Sequence, residues 1–413
     1  MTIGSSIPAL DAAAADLAAV DLADPGTFIG TDLTALWGRF RAERPVHWNA
    51  PGPDRPGFWA VSRYEDAVAV YKDSQRFTSA RGNVLATLLQ GHDSASGKML
   101  AVTDGERHRE IRKLMLTSFS PRVLGRVAEQ VRARTRRLFE GVVGRGPLDF
   151  AADVADHIPI NTIGDLMNVP QEDRQKLVDW NTQTLSRDSA EHDEFEELLA
   201  RNEILLYFSA LAAERRRKPG DDVISAMVNA TDLTRPLSED EIVFNCYSLI
   251  LGADESSRMS SIGAVLELSR NPEQWNALIN GDVAIETAAE EVLRWTTPAM
   301  HFGRRAITDV VLRDQVIRSG DIMTMWNTAA NYDGAVFADP ERFDLARTPN
   351  RHIAFGYGPH FCLGAFLGRT HVAAVLESLR DLVAEIRLTG EPKRLWSNFV
   401  YGYSSLPVEL KAK

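Results

Sequence analysis

The segment 238–270 constrains this chain more than any other. Ser238 followed three residues later by Glu241 is a capping box, which marks a helix start. From Ile242 to Leu251 the residues (IVFNCYSLIL) are apolar on nearly every face, and a helix that is hydrophobic all round belongs in a protein interior. The run then reads Gly252-Ala253-Asp254-Glu255-Ser256-Ser257-Arg258 before apolar residues resume at Met259. Polar groups inside a buried helix are costly without partners. Either the helix surfaces there, or something bulky lies against it and protons are handled, with serine hydroxyls taking up backbone carbonyls and opening the helix locally.

A chain that encloses such a helix must be large, and 413 residues are enough. Period 3.6 recurs at 31–44, 63–73, 106–118, 122–143, 151–167, 171–186, 193–217, 283–295 and 363–382. Strand-like pieces are short and lie towards the two ends, at 45–48, 57–62, 304–313 and between 385 and 410. The expected fold is therefore mainly α with a minor β-sheet region, an α+β protein. One large helix-rich domain over 31–413 is expected, preceded by a mobile N-terminal extension over 1–30. The stretch 331–361 is rich in Gly, Pro, Asn and Asp, and a loop of that length inside a domain tends to be functional.

Charge narrows the partners. Lys and Arg number 46 against 57 Asp and Glu, a net charge of −11, which argues against nucleic acid or an anionic membrane as the main partner. No window of ~18 uninterrupted apolar residues is present, and the N-terminus lacks the marks of a targeting peptide, so a cytoplasmic monomer is expected. Two cysteines cannot make a disulfide framework. Cys246, within the apolar run, reads as a small buried hydrophobe. Cys362 is different. It stands in Phe355-Gly356-Tyr357-Gly358-Pro359-His360-Phe361-Cys362-Leu363-Gly364, just before a helix. Glycines allow tight turns and close approach, and a helix N-terminus favours a thiolate, the form a metal ligand requires. A zinc site from His352, His360 and Cys362 is a second reading, though it lacks a fourth ligand.

The run Phe355–Gly364 resembles the F-x-x-G-x-(H/R)-x-C-x-G loop of the cytochrome P450 family. Three more motifs follow in the family's order: Glu291-Val292-Leu293-Arg294 with Arg347, Gly252-Ala253-Asp254-Glu255-Ser256, and Asp104-Gly105-Glu106-Arg107-His108 with Arg112. The resemblance covers roughly 30–410 and implies a single P450-like domain enclosing haem b, with Cys362 as the iron ligand. It also implies His108, Arg112, Arg304 and His360 as partners of the haem carboxylates, and Phe355, Gly358, Gly364 and Ala253 as further haem contacts. Glu255 and Ser256 take the acid–alcohol positions of a proton relay, while Glu291, Arg294 and Arg347 brace the cysteine loop. Ser256 departs from the family's threonine, and Gly252-Ala253 inverts the usual order.

The activity so implied is a monooxygenase that inserts one oxygen atom of dioxygen into a small organic substrate. Electrons would come from NAD(P)H through external redox partners, with a ferredoxin docking on a basic face made by Arg107, Arg109, Arg112 and Lys113. Substrate contacts are expected from Val84, Leu85, Leu88, Leu89, Trp180, Leu251, Met300, Phe302 and Tyr401, with Asn181, Arg187 and Asn398 as polar anchors. The family resemblance suggests secondary-metabolite tailoring of an aromatic, amino-acid-derived or carrier-bound compound. Oxidative coupling, nitration, peroxide-driven oxidation, or haem binding without turnover as a sensor or carrier stay open at this level.

Overall fold

The structure, a computed structural model, describes residues 10–185 and 194–413. The segment 238–270 forms one unbroken helix, Glu239–Arg270, the central helix. Its start is capped as its sequence dictates: Glu241 N–H donates to Ser238 Oγ at 3.1 Å and Ser238 N–H to the Glu241 carboxylate at 2.8 Å. The polar run does not open the helix. Ile285–Thr296, here the brace helix, and Ala365–Leu382, the cysteine helix, pack against the central helix and enclose the largest core, built from Val265, Leu266, Val292, Val375, Leu376 and their neighbours. Cys246 is fully buried among apolar side chains, and burial pushes its thiol far above the usual range. It is packing.

Beside the helices lies a five-stranded sheet in the order Val46–Asn49, Phe58–Val61, Ile322–Trp326, His301–Ala306, Phe77–Thr78. Phe58–Val61 and Ile322–Trp326 run parallel and the other pairs antiparallel. Ile322–Trp326 is buried at every position. It has no alternating face for a period-2 reading to detect, which is why the sequence did not disclose it. Arg304 pairs with Met323 and Phe302 with Met325, so the register of this sheet sets where both side chains emerge. A second sheet joins Pro147–Asp149, Pro407–Ala412 and Val383–Leu388.

The expected mobile extension is largely corrected. Within its described part, Ala12, Leu17, Val20, Leu22 and Phe28 are buried and pack with Trp37, Phe40 and Trp326. Leu22 N–H donates to Asn49 Oδ1 at 2.8 Å, and Asn398 Nδ2 donates to the Ala23 carbonyl at 2.7 Å. Apolar side chains on one side of a short segment suffice to fasten it down. Among the described residues, no helix is long and apolar enough to cross a membrane.

Candidate active site

The cysteine loop is shaped by its glycines. Gly356 and Gly358 have φ of 69° and 71°, a left-handed conformation that side chains disfavour. At Gly358 a Cβ would also stand 2.6 Å from the Tyr71 carbonyl oxygen. Phe361 N–H to Gly358 O and Cys362 N–H to Phe355 O, at 3.0 and 2.9 Å, close the turn and deliver Cys362 just ahead of the cysteine helix. Burial raises the Cys362 thiol pKa, while the Gly364 N–H and the charges of Arg112 and Arg369 pull it back towards thiolate. A Cβ on Gly364 would sit 4.0 Å from Cys362 Sγ. Phe355 packs on Gly368 and under the Arg369 guanidinium, 4.7 Å from its ring.

The brace is fully buried. Glu291 accepts from Arg294 Nε and Nη2 at 2.8 Å, and from Arg347 Nε, Asn350 Nδ2 and Asp344 N–H at 3.0 Å. Arg294 Nη1 donates onward to the carbonyls of Asn331 and Pro340 at 2.9 Å, and Arg347 to those of Ala338, Asp339 and Arg342. One carboxylate and two guanidiniums thus pin the long loop 331–361 by its own backbone, which neutral side chains could not saturate so densely. Asn331 was not anticipated: its Oδ1 accepts from Ile353 N–H and its Nδ2 donates to Thr297, both at 2.8 Å.

Near this loop stands a set of arginine and histidine donors with one carboxylate, Asp104, among them. Arg304 is buried, lies over the Tyr71 ring at 5.4 Å, and among the described residues hydrogen-bonds only to its neighbour's carbonyl, Gly303 O, at 2.7 Å. Burial lowers its pKa, as it does for half-buried Arg112. His108 is buried with Nε2 unpartnered, and burial, then His360 and Arg112, push its pKa down to about 4. The His360 ring lies against it, centroids 4.3 Å apart and tilted by 43°, with its Nε2 2.9 Å from Asp104 Oδ1. Asp104 also accepts from Thr78 Oγ1 and from Ser79 and Ala80 N–H. Burial opposes its ionisation, but the bonds from His360 and Thr78 outweigh this and hold it below the usual carboxylate range. Asp104 is a residue whose role the sequence reading missed, although it opens the motif containing His108.

Among the described residues no three His, Cys, Asp or Glu side chains converge as metal ligands. The zinc reading is therefore withdrawn: His352 turns to Glu290 at 3.0 Å and His360 to Asp104. The lining instead fits haem b, with a lone thiol for the iron and buried Arg304, half-buried Arg112 and the unpartnered His108 nitrogen for its two carboxylates.

The central helix sends its polar residues four ways. Gly252 is exposed in mid-helix, and a Cβ there would meet nothing within 4 Å. Ser256, one turn on, donates to the Gly252 carbonyl at 2.8 Å, and Ala253 is half-buried. Glu255 is buried and ion-paired with Arg258 at 2.8 Å, and Arg258 reaches Asp156 at 3.0 Å. Asp254 accepts from Asn181 Nδ2 at 2.8 Å. Ser257 bonds His371 of the cysteine helix at 2.9 Å, and His371 bonds Thr162 at 2.8 Å. Glu255 thus does not meet solvent itself; the more exposed carboxylate of the series is Asp156.

Several expected substrate contacts have other partners in this structure. Leu85, Leu88 and Met300 are wholly buried in the core with Trp37 and Trp326, and Leu88 fills the space a Cβ on Gly303 would need. Asn398 is spent on Ala23 and Asn181 on Asp254. Tyr401 carries the Arg394 guanidinium 3.7 Å from its ring. Val84, Leu89, Trp180, Leu251 and Phe302 are half-buried. Arg187 lies outside the described residues. On the basic helix Gly105–Ser118, Arg107 leaves the expected docking face: it is bound to Glu241 at 2.7 Å and Glu110 at 2.9 Å. Arg109, Arg112 and Lys113 line a surface depression of about 400 Å³ with Leu116 and Thr117.

The cytochrome P450 family model matches residues 284–380, from the brace helix through most of the cysteine helix. Cytochrome P450 NovI of Streptomyces niveus is 44% identical over 96% of this chain and 97% of its own length. A steroid C26-monooxygenase of Mycobacterium bovis is 28% identical over 94% and 92%. Among solved structures, P450 OxyD, involved in the biosynthesis of vancomycin-type antibiotics, superposes with a TM-score of 0.87 at 34% identity, covering 96% of this chain and 100% of that one. The likeness spans both flanks of the site, and the chain belongs to the cytochrome P450 family.

Proposed function

We propose that this P450 inserts one oxygen atom of dioxygen into a small organic substrate of secondary metabolism, with Cys362 as the iron ligand. The observation that carries this reading is the lone thiol on a glycine-shaped loop, near buried Arg304, half-buried Arg112 and His108, whose Nε2 has no hydrogen-bond partner among the described residues. Haem b, when bound through a thiolate, supplies dioxygen activation. Arg304, Arg112 and His108 would hold its carboxylates, and Asp104 fixes the His360 ring against His108. Ser256 is the hydroxyl that hands on protons, resting meanwhile on Gly252 O. Glu255 supplies it from the buried side, and Asp156, through Arg258, connects that carboxylate to the surface.

Electrons arrive from NAD(P)H through a ferredoxin that docks where Arg109, Arg112 and Lys113 surround an apolar depression. Half-buried Val84, Trp180, Leu251 and Phe302 suit an apolar or aromatic substrate, free or carrier-bound. The role of OxyD in antibiotic biosynthesis supports secondary metabolism as the setting. The test is the carbon monoxide spectrum of the reduced protein, which should show the strongly red-shifted band of a thiolate-ligated haem. Cys362→Ala should abolish it and Cys246→Ala should not; a normal band in Cys362→Ala would overturn the assignment.

A further inference from the structure

Asp254 and Asn181 meet between the central helix and the helix Arg174–Leu185, called here the crossing helix. Asp254 is 3% exposed and Asn181 is 0%. Asn181 Nδ2 donates to Asp254 Oδ2 at 2.8 Å, yet the other carboxyl oxygen, Asp254 Oδ1, and the amide oxygen, Asn181 Oδ1, are buried without a hydrogen-bond partner among the described residues. Both orphans are acceptors. An ionised Asp254 would leave them bare, at about 1–3 kcal/mol for each unsatisfied group, and would bury a charge as well.

The charged neighbours make that charge still less welcome. On its own helix Asp254 has Glu255 and Arg258 beside it, and from the end of the preceding segment Asp156 faces the same cluster; the crossing helix contributes the neutral Asn181. Arg258 is the cation shared by Glu255 and Asp156, so two carboxylates already draw on one guanidinium. Burial, then the Glu255 charge, push the Asp254 carboxyl up to about 7.

We infer that Asp254 carries a proton on Oδ1 and donates it to Asn181 Oδ1, closing a two-bonded acid–amide pair that fastens the crossing helix to the central helix. One hydrogen atom then satisfies both orphaned oxygens. The pair is a positioning device: Asp254 lies between Ala253 and Glu255, so the crossing helix is registered against the turn that carries Ser256. The inference rests on the proposed function only for what that turn does, since the pairing itself needs no turnover. Loss of the proton removes one of the two bonds and leaves the carboxylate facing a carbonyl oxygen, so the crossing helix loosens as pH rises past about 7.

The holoenzyme can be tested by infrared spectroscopy with ¹³C-labelled aspartate. A protonated-carboxyl C=O stretch should be present at about pH 6, fade with a midpoint near neutrality, and be missing in Asp254→Asn. In parallel, the exchange rate of the amides in 178–184 in wild type, taken relative to Asp254→Asn at the same pH, should match at about pH 6 and rise about tenfold by about pH 8, because an amide keeps both bonds at every pH. Absence of the band, a band that survives Asp254→Asn, or identical exchange in the two proteins would overturn the inference. Should Asp254→Ala fail to fold, the wild-type band and the Asp254→Asn comparison still decide it. The carbon monoxide spectrum of the same samples reports separately on the thiolate ligand, so failure of that reading is distinguishable from failure of this one.

Discussion

The cysteine loop and the polar turn of the central helix are built on opposite principles. The loop is saturated: Glu291 accepts five hydrogen bonds, two arginines fill the carbonyls around it, and glycines remove every atom that would collide. The turn is dispersed: Asp254, Glu255, Ser256 and Ser257 each look to a different partner, and open space remains beside Gly252. A metal ligand must be held in one place, whereas oxygen and protons need room and several partners. The same protein meets both needs within two packed helices.

The contrast can be broken most severely at Glu291. Glu291→Gln leaves two buried guanidiniums without their carboxylate, and a loss of about 4 kcal/mol is expected from the cost of stranding a buried charge. Urea unfolding should register it together with poor haem retention; near-wild-type stability would mean that the brace is not what holds the loop. Gly358→Ala comes next, at about 3 kcal/mol, because the new methyl meets the Tyr71 carbonyl and also requires φ of 71°. Thermal melting with the carbon monoxide band as readout would check it.

Acid should act on the packing behind both regions, at His371 of the cysteine helix and His301 of the five-stranded sheet. Burial lowers His371 to about 4 and His301 to about 3, below the ordinary imidazole value. The unfolded chain therefore binds protons first, so this contribution to stability is intact above about pH 6.5 and falls as pH drops towards the folded values. By about pH 5 the loss is about 2 kcal/mol for each imidazole. Unfolding midpoints that stay level across that window, in a His371→Gln comparison, would refute the account.

Smaller effects are expected where the molecule is open. Arg109→Ala with Lys113→Ala should slow reduction by an acidic ferredoxin by about tenfold at low salt and remove most of its salt dependence, as stopped-flow reduction would show. Ser256→Ala should change stability by less than about 0.5 kcal/mol. It should keep the carbon monoxide band yet yield less product for each electron consumed. Unchanged coupling would remove Ser256 from the relay.

Local features of this fold were readable and distant partnerships were not. The capping box at Ser238, the positive φ of Gly356 and Gly358, and the three-residue spacing of Glu291 and Arg294 are all settled within a few residues. Arg107 looked like part of a basic face because its neighbours are basic, but its partner Glu241 lies 134 residues away. Asn181 looked like a substrate anchor, and its partner Asp254 is 73 residues away. Leu85, Leu88 and Met300 were apolar and close to the expected pocket, yet apolarity does not distinguish a pocket wall from the core behind it. The strand Ile322–Trp326 and the fastening of the N-terminal segment both depend on surfaces that exist only once the rest has assembled.

That N-terminal fastening bears on how the chain is made. Phe28 stacks on Trp326 at 5.5 Å, Ala23 is held by Asn398, and the last strand, Pro407–Ala412, pairs with Pro147–Asp149. A ribosome makes Phe28 and Ala23 long before Trp326 and Asn398, so these early residues wait with their apolar side chains uncovered until those later segments emerge. Burial of the early segment is thus deferred until its distant partners have been made, and products stalled before Trp326 are the species most exposed to aggregation during synthesis.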